Sequence, residues 1–137
     1  MKTMRVFLSH SEADKKWAEQ LRAGLAEAGF EVWNPQSDAL PGSNLHLELG
    51  KALERSDAMI VLLSPESVKS ASVLSEIEYA LSASQFRGRL ISVLVKPTEE
   101  IPWILQKLSF IRATKDVPET VRRVVSALHK SPVTVEK

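Results

Sequence analysis

The segment DAMIVLLS, residues 57 to 64, is apolar at every position from Ala58 to Leu63. A strand this uninterrupted must be covered on both faces, and helices flanking a parallel sheet are the usual cover. The rest of the chain has the matching pieces. MRVFLS (4–9), GFEVWNP (29–35), LISVLVK (90–96) and SFIRAT (109–114) read as further short strands. Between them lie stretches whose apolar residues recur at helical spacing. The first runs from Glu12 to Ala28 with Trp17, Leu21 and Leu25 on its buried stripe, and Ser11 with Asp14 reads as a capping box at its start. The others carry Leu45, Leu49, Ala52 and Leu53; the segment SVLSEIEYAL (72–81); PWILQKL; and Val121, Val124, Val125 and Leu128. QSDALPGSNL (36–45), with its Pro-Gly pair, reads as a polar loop.

Five strands alternating with helices predict an α/β fold. Right-handed crossovers make the economical arrangement a flavodoxin-like, doubly wound, five-stranded parallel sheet of order 2-1-3-4-5. The 137 residues contain no internal repeat or linker, so residues 1–130 are expected to form one domain and 131–137 a frayed tail. Lysine and arginine number 18 against 17 acids, which gives no reason to expect nucleic acid or a membrane surface as a partner. The N-terminus turns polar too early for a secretory signal, and no apolar run reaches the roughly 20 residues needed to span a bilayer. A cytoplasmic location is the expectation. With no cysteine, thiolate metal sites and a cysteine nucleophile are excluded. His10, His46 and His129 lie on separate elements without a ligand-spaced neighbour, so no metal site is expected and each reads as a surface residue or cap neighbour.

In such sheets ligands bind beyond the carboxyl ends of the strands, near the switch point between strands 1 and 3. That rim is built from SHSEAD after strand 1, QSDALPGSN after strand 2 and SPESVKSAS after strand 3. It cannot act as a phospho-receiver, because strand 3 ends in Ser64 and strand 1 runs into Ser9, His10 and Ser11. The absence of glycine from SHSEAD argues against a flavin phosphate loop, and neither GxGxxG nor GxxxxGK[ST] occurs. Of the two glutamates in SVLSEIEYAL, Glu76 and Glu78 face different sides of the helix, and Glu76 is the one placed to reach the crevice. A single carboxylate can assist cleavage of a glycosidic bond whose leaving group departs already neutralised, because such a group needs no general acid. The nicotinamide bond of NAD is of that kind. Taken alone, a solvated helix-surface glutamate is the commoner role.

Several segments in order resemble a known family: VFLSHSEAD, GFEVW, DALPGSN, ALERSDAMIVLLSPESVKS, SEIEYAL and IPWILQKLSFI. Over residues 4 to 128 the chain resembles a bacterial-type Toll/interleukin-1 receptor (TIR) domain. The resemblance implies the fold argued above. It also implies cleavage of NAD, as substrate rather than cofactor, with hydrolase or cyclase outcome and an immune or toxic role activated by self-assembly. In NAD-consuming members a glutamate follows a serine by six residues, a relation that Ser70 and Glu76 reproduce, so Glu76 takes the catalytic role. Ser9, His10 and Ser11 resemble the stretch lining the nucleotide pocket. The loop from Ser37 to Asn44, with Asp38, Leu40 and hinge-like Gly42, would cover it, and Trp33 would form a stacking wall or belong to the core. The family usually has tryptophan where this chain has Ser72, which opens the pocket at that point. The family further implies TIR–TIR self-association and a fused or separate sensor or effector. Two alternatives stand beside the enzyme: a non-catalytic interaction module, and a nucleoside deoxyribosyltransferase, whose usual glycine before the helix is missing here.

Overall fold

The computed structural model describes residues 3–38 and 44–130, a five-stranded parallel sheet flanked by helices. Its strands are β1 (Arg5–Ser9), β2 (Glu31–Trp33), β3 (Ala58–Leu63), β4 (Leu90–Leu94) and β5 (Ser109–Arg112). They pair in the order β2-β1-β3-β4-β5, the order expected. All six residues of β3 are buried, as its unbroken apolar sequence requires at the sheet centre.

The pleat divides the core in two. Val6, Leu8, Ile60, Leu62, Ile91 and Val93 face α1 (Lys15–Glu27), with α6 (Val117–His129) on the same side. Phe7, Met59, Val61 and Leu63 face the opposite layer, which includes α3 (Leu45–Arg55), α4 (Ala71–Ser82) and α5 (Trp103–Gln106). Each fully buried aliphatic or aromatic side chain contributes about 1.5–3 kcal/mol through removal from water. Gly24 lets α1 and α6 approach closely: a Cβ there would lie 2.7 Å from Val121 Cγ2.

Helix starts follow their side-chain caps. Asn44, Ser70 and Asp116 each accept from a backbone N–H three residues on, those of Leu47, Val73 and Glu119. Three expectations are corrected. Part of the supposed polar loop is the one-turn helix α2 (Pro35–Asp38), because Pro35 suits a first helical position and Asp38 N–H bonds back to the Asn34 carbonyl. The capping box at Ser11 does not form; Ser11 Oγ donates to the Asp14 carboxylate, which is buried rather than turned to the helix end. Trp17 is only half-buried, while Ala18, Leu21 and Leu25 make the fully buried stripe of α1.

Register aligns Ser9, Val61, Ser92 and Phe110 in one row across four strands. Ser9 ends in a hydrogen bond, but Ser92 Oγ is buried with no partner among the described residues. An unpaired buried hydroxyl costs about 1–3 kcal/mol. Ser92→Ala is therefore expected to leave stability unchanged or to raise it by about 1 kcal/mol in denaturant unfolding; a loss of that size would show that the hydroxyl is satisfied after all.

Candidate functional site

At the carboxyl end of the sheet the exit of β1 distributes three side chains to three neighbours. Ser9 points to the α4 side, where its hydroxyl donates to Glu76 Oε1 at 2.5 Å. The second oxygen of Glu76, Oε2, accepts from Ser72 Oγ at 3.2 Å. Ser70 caps α4 and so fixes which turn of the helix presents Glu76 to the rim. Glu76 is 2% exposed, whereas Glu78, two positions on, lies on the solvent side. The helix periodicity that separated the two glutamates is thus realised in the structure.

Burial pushes the Glu76 carboxyl above its ordinary value, because desolvation disfavours the charged form. The hydroxyls of Ser9 and Ser72, and then the positive charge of His10, oppose that rise without cancelling it. His10 is buried beside the cap residue Ser11, so of its two expected roles the cap neighbour holds and the surface residue does not. Its Nδ1 lies 2.6 Å from the Ser11 carbonyl and must donate there, since a carbonyl only accepts. Its Nε2 lies 3.1 Å from Oδ1 of buried Asn34, at the exit of β2.

Ser11 turns to the other face of the sheet. There the Asp14 carboxylate accepts from Ser11 Oγ at 3.0 Å and from the Ser64 hydroxyl, while Lys96 Nζ stands 3.4 Å from its other oxygen. The exits of β1, β3 and β4 are thereby tied together beside the Glu76 constellation. Neither Asn34 nor this Asp14–Ser64–Lys96 cluster was anticipated from the sequence. The one available signal was the Asn-Pro pair at 34–35, a common helix opening.

The remaining expected site residues separate. Trp33 is half-buried against Phe7, with ring centroids 5.6 Å apart, so it packs as core as much as wall. Asp38 is held by the Asn34 backbone N–H at 2.8 Å and by Arg22 at 3.0 Å. Trp33 and Asp38 line a cleft of about 540 Å³ at the β2 edge, with Arg5, Lys51 and Arg55. Ser37 lies in α2 by its backbone. Leu40 and Gly42 fall outside the described residues. Another cleft, of about 700 Å³, lies among Phe86, Arg87, Leu90, Ile104 and Lys107 at the opposite end of the strands. Neither cleft includes Glu76. The buried carboxylate with its convergent donors, rather than cavity volume, marks the candidate site.

Comparison with known proteins matches this architecture. The TIR domain of the Toll-related receptor TRR-2 from Hydra magnipapillata superposes with a TM-score of 0.76 at 24% identity, over 91% of this chain and 98% of that one. A TIR-STING receptor from C. gigas, solved with 2′,3′-cGAMP, gives a TM-score of 0.75 at 25% identity, covering 91% of this chain and 39% of the receptor. A prokaryotic SEFIR domain gives 0.73 at 13% identity, over 98% of both chains. A search of curated proteins finds no match. No described helix is long and apolar enough to cross a membrane. The sequence profile of the TIR domain covers residues 6–125, most of the chain, and with the sheet order and helix layers it shows that this chain belongs to the TIR domain family.

Proposed function

We propose that this TIR domain cleaves the N-glycosidic bond between ribose and nicotinamide in NAD, with Glu76 as the working carboxylate. The observation that carries the reading is Glu76 itself: a buried acid at the ligand-binding rim, each oxygen held by a serine hydroxyl. Such a group is not surface decoration. A buried carboxylate is costly, and it persists where donors and function hold it.

In the proposed reaction the C1′–N bond breaks, the bonding pair neutralises the pyridinium nitrogen, and nicotinamide leaves without needing a proton. Positive charge develops on the ribose ring, and the Glu76 carboxylate, preorganised by Ser9 and Ser72, stabilises it. Water then adds at C1′ and releases its proton, giving ADP-ribose; attack by a nitrogen of the adenine instead would give a cyclic product. His10, held between Ser11 and Asn34, helps to keep Glu76 ionised.

The working acid must be deprotonated, and burial raises its pKa. Nicotinamide release should therefore rise with pH through a midpoint above the roughly 4.3 of an unperturbed glutamate. A pH–kcat profile taken on NAD checks this; a rate that stays flat down to about pH 4 would remove Glu76 from the chemistry.

Self-association and a joined or separate sensor belong to the same proposal. They are supported by the Roq1 resistosome, whose TIR domains give a TM-score of 0.59 at 21% identity, and by the larger size of the TIR-STING receptor. A non-catalytic docking module is the second reading. The exposure of Trp103, at 70%, favours it. Failure of an assembled sample to release nicotinamide would move the assignment there.

A further inference from the structure

We infer that Ser72 is a positioning residue that locks the plane of the Glu76 carboxylate, making a two-point grip with Ser9; this rests on the reading of Glu76 as the working acid. Side chains on a helix lean toward its N-terminus, so Glu76 reaches back over the turn that begins at Ser72, four residues earlier. The two serines approach different oxygens: Ser9 holds Oε1 at 2.5 Å and Ser72 holds Oε2 at 3.2 Å. That division has a geometric consequence. The torsion that turns a glutamate's carboxylate is broad and nearly two-fold, so one hydrogen bond anchors one oxygen and leaves the other free to swing. A second donor on the second oxygen removes that freedom and sets which lone pairs face the crevice.

The two donors differ in setting. Ser9 is wholly buried at the end of a central strand, while Ser72 is exposed in the first turn of α4. The strand supplies the fixed half of the grip and the helix supplies the half nearest solvent. No other described group replaces Ser72. The other polar side chain three or four positions from Glu76, Tyr79, packs edge-on against Phe86 with centroids 6.1 Å apart, and His10 is committed to Ser11 and Asn34. Where the resemblance places a tryptophan ring, this chain has a hydroxyl that acts on the acid.

The test compares wild type with Ser72→Ala and Ser72→Thr, the first removing the hydroxyl and the second keeping it. Alanine is the best helix former, and the position is exposed, so the helix is expected to survive. The first readout needs no substrate: the Glu76 side-chain carboxyl is titrated by carbon-13 NMR. Ser72→Ala should titrate at higher pH than wild type, and Ser72→Thr should return toward the wild-type value. The second readout is steady-state NAD cleavage, in which Ser72→Ala should lower kcat about tenfold with KM little changed, and threonine should restore it. A Ser72→Ala protein that titrates like wild type overturns the grip whatever its activity. A threonine variant that behaves like alanine also overturns it, because the effect would then not come from the hydroxyl. If Ser72→Ala shifts the titration but no protein cleaves NAD, the grip stands and the enzymatic reading falls.

Discussion

Glu76→Gln is expected to lose NAD cleavage by a factor of about 10²–10³ and, in the same protein, to melt higher than wild type at neutral pH. The loss is the removal of a preorganised charge from beside a developing cation, an effect of about 3–4 kcal/mol in comparable sites. The gain has the opposite origin. Glu76 is 2% exposed, and desolvation raises its pKa in the folded state. A carboxyl with a raised folded pKa contributes stability below its unfolded value, near 4.3, and loses that contribution as pH rises through the folded value. Wild type and Glu76→Gln should therefore have similar melting temperatures near pH 4, with the variant ahead at pH 7. Glutamine keeps the shape, and the hydroxyls of Ser9 and Ser72 can rotate to serve its amide. Thermal unfolding at the two pH values reads the effect; a variant less stable at pH 7 than wild type would mean that the site welcomes the charge.

Asp14→Ala is expected to destabilise the domain by about 3 kcal/mol, or about 10 °C in melting temperature for a chain of this size. Asp14 is 2% exposed and is the common acceptor for Ser11 and Ser64. Ser64 is wholly buried and Ser11 nearly so, and truncation takes away the charge-assisted bond of each. Lys96, by contrast, has a side chain 43% exposed and can return its charge to water. Lys96→Met should therefore cost only about 1 kcal/mol, the range of a partly exposed ion pair. Denaturant unfolding of the two variants side by side tests the ordering. If Lys96→Met costs more than Asp14→Ala, the ion pair rather than the serine bonds holds the strand exits together.

The sheet order and the inward placement of Glu76 rather than Glu78 were legible because both follow from the pattern of apolar residues. An unbroken apolar run demands cover on both faces, and helical spacing separates two acids two residues apart. The buried state of His10 was not legible, because its partner Asn34 lies 24 residues away and meets it only when β2 pairs with β1. Asp14 was misread for the same reason. Local spacing matched Ser11 and Asp14 to a helix cap, but the carboxylate is drawn inward by Ser64, 50 residues on at the end of the neighbouring strand. Ser72 was seen as a missing ring. That its hydroxyl meets Glu76 depends on the acid folding back over its own helix, and burial decides whether it does. Local patterns thus carried the elements, while the polar contacts of His10 and Asp14 came from strand pairing.

The most direct measurement is nicotinamide release from NAD by the wild-type protein at a concentration that drives assembly, beside Glu76→Gln, with products separated by chromatography and identified by mass. The account predicts nicotinamide and an ADP-ribose product from wild type and neither above background from the variant. Equal release by both proteins, or none from wild type while assembled, would contradict it.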